Sequence, residues 1–227
     1  MTTLTYLSLL LYAEGASDYR LLTPLLRRLT EQLCRLEARG IVDVGDVIGI
    51  EEPRRFRDKD RATRILEAAR SSWGGACILF IHADGAGDPA TKAAEQIVPG
   101  AQLIERTLPG GACVAVVPVR EIEAWTLVDG EALRGAFGTT LDDQALRIAQ
   151  RPRDVESILD PKLEIEAVFR KLTSSSQRRR ARVADFYDRI GERVDLGRLE
   201  QVPAFKELEK SLRQALLKLG ILAAPRG

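Results

Sequence analysis

The sequence is short of the residues on which disulfide-bonded and zinc-binding proteins rely. Its 227 residues hold three cysteines, Cys34, Cys77 and Cys113, and one histidine, His82. The cysteines are odd in number and far apart, which excludes a disulfide framework and any zinc-ligand spacing. Two of them lie in apolar, strand-like runs and read as buried thiols of a reducing compartment. Neither sign of charge prevails: 34 Lys and Arg stand against 33 Asp and Glu, a net charge of +1. Bulk charge therefore argues neither for nor against a polyanionic partner, and local patches decide. No apolar run reaches the roughly 20 residues that a bilayer span needs. The N-terminal run lacks a basic leader region and meets Glu14 early, so the expectation is a cytoplasmic protein without a membrane partner. No G-x-x-x-x-G-K-S/T loop is present, so the chain is not itself a P-loop ATPase, and no G-x-S-x-G elbow or Cys-His pair with a credible base is found. What is there is a chain 45% apolar, long enough for a sizeable core and expected to be one domain with an appended part.

The first half alternates between two periodicities. TLTYLSLLLYA, IVDVGDVIGI, ACILFIHAD and GACVAVVPV are short apolar runs of the kind buried in sheets. Between them DYRLLTPLLRRLTEQLCRLEARG, RATRILEAARSS and DPATKAAEQIV carry helical spacing. Ser17 is placed to cap the first of these and Gly40 to stop it, while Pro24 implies either a kink or a later start. Alternating strands and helices predict an α/β fold, a mostly parallel four-stranded sheet flanked by helices. After Pro118 only helical periodicity remains, in REIEAWTLVD, PKLEIEAVFRKL, RRARVADFYDRIGERV and AFKELEKSLRQALLKLG. The expected division is an α/β domain over residues 1–130 and a helical extension over 131–227.

Carboxylates recur where strands end. Glu14 closes the first, Asp84 the third with Asp88 in the turn beyond it, and Glu121 and Glu123 follow the fourth. Parallel strands would bring these acids to one rim, where they repel unless a cation compensates. A hard divalent ion takes oxygen ligands, and Mg²⁺ is commonly held by one or two carboxylates, waters and substrate phosphates. Such an ion orients a phosphate, activates water or stabilises a leaving oxygen.

AEGASD followed by a helix, then a strand ending in Asp and a further acidic cluster, resembles the Toprim fold of topoisomerases, primases and overcoming-lysogenization-defect nucleases. EGASD, IHADG, VPVREIEAWTLVD and DPK, with GRLEQVPAFKELEKSL near the C-terminus, are similar to a bacterial Toprim-like, OLD-nuclease-like family often encoded beside an ABC- or SMC-type ATPase. That resemblance spans nearly the whole chain. It implies a Mg²⁺- or Mn²⁺-dependent nuclease in phage defense or a toxin-like module, with an ATPase partner. In it Glu14, Asp84 and Glu123 hold the metal, Asp88 or Glu121 supports it, and Lys162 steadies phosphate charge. The family pattern His-x-Asp-x-Asp is met by His82 and Asp84, but position 86 is Ala. Either Asp88 substitutes from two residues on, or one metal position is lost. The second alternative motivates a competing expectation, an inactive adaptor or sensor subunit of an ATPase complex.

Trp125 is expected to anchor its helix by packing, and His82 to be either a hydrogen-bonded core residue or part of the site. Two basic runs are candidates for sequence-independent phosphate contact with nucleic acid: Arg54, Arg55, Arg57, Lys59, Arg61 and Arg64 after the second strand, and Arg178, Arg179, Arg180 and Arg182 late in the chain. The alternative is that Asp58 and Asp60 neutralise the first run and both are solvated faces.

Overall fold

The computed structural model describes residues 4–173 and 181–223. Four strands, β1 (Leu4–Tyr12), β2 (Ile41–Gly49), β3 (Ala76–His82) and β4 (Gly111–Val116), form one sheet in the order β2-β1-β3-β4. Every pairing is parallel, with Leu7 opposite Ala76, and Cys77 opposite Gly111. The fold is therefore α/β with an all-parallel sheet, and the crossovers are α1 (Ala16–Glu37), α2 (Arg61–Arg70), and the pair α3 (Pro89–Gln96) and α4 (Val98–Thr107).

A parallel sheet must be covered on both faces, and the two-residue pleat sorts the side chains accordingly. Leu7, Leu9 and Leu11 of β1, Ile78 and Phe80 of β3, and Val114 and Val116 of β4 face α1 and the helices of the second half. Leu10, Tyr12, Cys77, Leu79 and Ile81 face α2 and α4, meeting Ile65, Ala69 and Ile104. The first cluster contains residues from both sides of position 130, including Leu25, Phe80, Trp125, Tyr187 and Phe205. Trp125 packs edge-on against Phe205 with ring centroids 5.3 Å apart, the packing anchor expected of it.

Several local expectations are corrected. The N-cap of α1 is Gly15, not Ser17: the Asp18 carboxylate, three residues on, accepts from the Gly15 amide at 2.9 Å. Pro24 neither delays nor interrupts the assigned helix, which runs from Ala16 to Glu37. The helix expected over REIEAWTLVD contracts to one turn, α5 (Glu123–Thr126), because Asp129 caps a separate helix, α6 (Gly130–Phe137), accepting from the amides of Glu131 and Ala132. PKLEIEAVFRKL is helical as α7 (Pro161–Leu172). RRARVADFYDRIGERV is not one helix; its described part is a short turn over Val183–Phe186, then α8 (Tyr187–Gly191). After α9 (Leu196–Leu199), α10 (Pro203–Lys218) ends the second half. No helix among the described residues is long and apolar enough to cross a membrane.

The second half is tied to α1 by charge-assisted bonds. Arg28 donates to the carbonyls of Gly191 at 2.8 Å and Val194 at 2.9 Å, and Arg213 grips Glu37 in a fork at 3.0–3.1 Å. Gly191 lets α8 lie directly on α1, since a methyl there would overlap the Leu21 carbonyl and stand 2.8 Å from Pro24 Cγ. At an open helical site Ala is better than Gly by about 0.5–1 kcal/mol, whereas overpacking costs about 1–3 kcal/mol. Gly191→Ala is thus expected to lower the urea midpoint, and a raised midpoint would show that the two helices are free to separate.

Candidate functional site

From β1 the chain passes through α1 to β2 on one side; from β3 it passes through α3 and α4 to β4 on the other. Connections diverge between β1 and β3, and the crevice past the carboxyl ends of such strands is where ligands bind in open α/β sheets. Glu14 leaves β1 on one wall of that crevice and Asp84 leaves β3 on the other.

On the α1 side an acidic cluster surrounds a buried histidine. His82 continues the parity of Ile78 and Phe80 and is fully buried. Its Nδ1 lies 2.9 Å from the Val116 carbonyl, an obligate acceptor, so Nδ1 carries the proton. Nε2 then faces Asp84 at 3.4 Å and Asp18 at 3.8 Å. Burial pushes the imidazole down, but the Asp84 contact, the Asp18 charge and the Val116 bond outweigh it and hold the ring above its ordinary value. Asp18 therefore serves both the helix start and His82.

Glu121 and Glu123 enter from the segment after β4. Burial raises Glu121, the Asp84 charge adds to this, and the Lys162 amide and ammonium oppose it. Its Oε2 is buried without a hydrogen-bond partner among the described residues. Glu123 is 5% exposed and is pushed up to about 7, first by burial and then by the charges of Glu121, Asp18 and Asp84. The Tyr187 hydroxyl of α8 points at it from 3.4 Å. Lys162 reaches this place because Asp160 caps α7, accepting from the Leu163 amide at 2.8 Å, and so sets the first turn beside Glu121.

Two expected ligands are engaged elsewhere. Glu14 has the parity of Leu10 and Tyr12 and turns to the α2 side, where it pairs with Arg61. Asp88 caps α3, accepting from the Thr91 amide at 3.1 Å and its hydroxyl at 2.7 Å. Ala86 itself has φ 49°. The loop around it is laced to the segment after β4, with the Gly85 amide donating to the Arg120 carbonyl at 3.0 Å and Gly87 to Val119 at 2.7 Å. A side chain at Gly85 would stand 2.6 Å from the Val119 carbonyl, so only glycine permits this lacing. Among the described residues no three His, Cys, Asp or Glu side chains form a group placed to hold a metal ion. Like charges without a cation between them splay apart or find other partners, as Glu14 does.

Of the basic candidates, Asp60 does not neutralise the first run; it caps α2, accepting from the Thr63 amide and hydroxyl. Asp58 reaches only Lys59, at 3.8 Å. Arg64 turns to Glu52 at 3.6 Å, while Arg54, Arg55 and Arg57 are exposed and in no ion pair among the described residues. Arg178, Arg179 and Arg180 lie outside the described residues; the Arg182 amide donates to Asp185 at 2.8 Å.

The raised Glu123 makes a pH prediction. A carboxyl that ionises near 7 when folded and near 4.5 otherwise takes up a proton on folding between those values. Stability then falls as pH rises through that window and is lowest above it. Glu123→Gln should flatten this slope and melt higher than the wild type at pH 8, with little difference at pH 5. An unchanged slope in thermal melts would show that Glu123 is ionised throughout.

Compared with the families of known proteins, with curated proteins and with solved structures, this chain matches none.

Proposed function

We propose that this chain is a divalent-cation-dependent, nuclease-like protein that cleaves phosphodiesters at the C-terminal rim of its sheet. One observation carries the reading. Burial with the charges of Asp84, Asp18 and Glu121 raises Glu123, burial with the Asp84 charge raises Glu121 against the opposing Lys162, and Glu121 Oε2 is a buried orphan oxygen among the described residues. An all-oxygen donor set with an unmatched buried acceptor suits Mg²⁺ or Mn²⁺, which need only one or two protein carboxylates besides waters and phosphate oxygens. Asp84 and Glu121 are the pair that would hold the ion. When bound, the ion would supply positive charge to the phosphate and make a coordinated water more acidic.

The remaining residues have roles that follow from their surroundings. His82 orients Asp84 and Asp18 from behind, its own Nδ1 fixed by Val116. Glu123, at about 7, can take and return a proton near neutrality. The exposed Lys162 ammonium is free to meet phosphate charge. Arg54, Arg55 and Arg57, exposed and in no ion pair among the described residues, suit contact with a nucleic-acid backbone. The resemblance in sequence supplies the setting, a role in phage defense or a toxin-like module beside an ABC- or SMC-type ATPase.

A second reading, an adaptor subunit without catalysis, is favoured by the pairing of Glu14 with Arg61 and by Ala86. Mn²⁺ titration by calorimetry separates the two. Even second-sphere partners of a metal are worth about 10–100-fold in affinity, so Asp84→Asn or Glu121→Gln should each weaken Mn²⁺ binding at least about tenfold and abolish metal-dependent cleavage of plasmid or oligonucleotide. Binding that is absent in the wild type, or untouched in both variants, would leave the adaptor.

A further inference from the structure

β2 is an edge strand. It pairs with β1 alone, and its outward amides and carbonyls bond to no other segment among the described residues. A free edge is a template for another strand, and charges and bulges on it limit which strand can join. β2 carries both. Between the partners of Leu7 and Leu9 it holds two residues, Gly45 and Asp46, against the single Ser8 of β1. The extra residue keeps Val42, Val44 and Val47 all on the α1 face. Ile41 and Ile48 stand on the other face beside Leu4 and Leu10 of β1, and are 59% and 54% exposed.

With the bulge counted as one position, the strand reads alike from either end: Ile41, Val42, Asp43, Val44, the Gly45–Asp46 bulge, Val47, Ile48. We infer that a second copy of this chain pairs with β2 in antiparallel register about a two-fold axis at Val44. That register sets Ile41 against Ile48 of the other copy and Val42 against its Val47, so each side chain meets its own kind on its own face. It also sets Asp43 against the other copy's bulge, over which the Tyr6 hydroxyl lies; a methyl at Gly45 would stand 2.6 Å from that oxygen. The hydroxyl donates to Asp43, which is exposed and has no other partner among the described residues. Asp46 turns to the opposite face, where Arg27 takes it up. A slip of one residue would send Ile41 and Ile48 to opposite faces and leave Asp43 unpaired.

Charge on the α1 face agrees. Arg27 and Glu31 line both grooves beside β2, one with Val42 and Val44, the other with Asp46 and Val47. They therefore flank the axis, and in antiparallel copies Arg27 of each faces Glu31 of the other. The two-fold turns the C-terminal rims to opposite ends of one continuous sheet. The pairing thus neither needs nor blocks the cation-site reading.

Sedimentation equilibrium on the full-length chain tests the pairing. The wild type should form a dimer. Ile41→Glu and Ile48→Lys should each weaken self-association at least about tenfold, because symmetry repeats the lost contact. The double variant should recover it, since opposite charges then meet at both ends of the strand pair. Both positions are exposed, so thermal melting should find every variant folded. A monomeric wild type would overturn the inference and leave the edge to a strand of another protein. Single variants that associate as the wild type does, or a double variant that stays apart, would overturn it as well. Where a variant fails to fold, the wild type answers alone: protection of the β2 amides from hydrogen exchange should rise with protein concentration, and protection independent of concentration would overturn the pairing.

Discussion

All four strands point the same way, and the position of every functional candidate depends on that constraint. Parallel pairing forces each connection to cross a face, so both faces must be apolar and both must be covered. It also forces every strand to end on one rim, where the chain leaves hydrocarbon for water. Glu14, Asp84 and the Glu121–Glu123 segment are carried there by backbone topology alone. Which of them meet is decided by a finer rule, the alternation of side chains across the sheet. His82 follows Phe80 to the α1 face, and Glu14 follows Tyr12 to the α2 face. One residue of difference in where a strand gives out is enough to divide a set of acids in two.

The two groups meet different electrostatic fates. On the α2 side Glu14 has a guanidinium that is itself held by backbone carbonyls, and neither charge is stranded. On the α1 side burial and like charge act together, and the proton is the readily available counter-charge: Glu123 holds it to about 7, and His82 is kept above its ordinary value by Asp84 and Asp18. The same arrangement lowers stability at neutral pH, a familiar cost of building a site from buried charge.

Much of the architecture was legible because the strands are nearly pure apolar runs with sharp ends. The order of strands, the parallel sheet and the helical second half follow from run length and period, whereas α4, which follows α3 after a single residue, was not read as a helix. What was not legible depended on local competition for hydrogen bonds. Ser17 looks like a cap, yet the helix starts two residues earlier at Gly15, whose amide the Asp18 carboxylate accepts. Asp88 looks like a ligand beside Asp84, yet Thr91 offers it both an amide and a hydroxyl. Arg61 looks like one more member of a basic run, and nothing in its neighbours marks it as the residue that turns inward. Its position depends on carbonyls 21 and 35 residues away. Tyr187, 64 residues from Glu123, carries no sequence signal of that contact at all.

The distribution of the acidic site between the two halves of the chain bears on what the second half is for. Glu121 and Glu123 follow the last strand and face Asp84 and Asp18 of the first half, but part of what surrounds them comes from beyond residue 130: Lys162 from the first turn of α7 and Tyr187 from α8. Gly191 lets α8 press on α1, and the Arg28 bonds to Gly191 and Val194 hold it there. The burial that lifts Glu123 therefore depends on how closely α8 lies against α1. The raised Glu123 and the packing of α8 on α1 thus share one set of contacts, Tyr187 on the carboxyl and Gly191 on the helix.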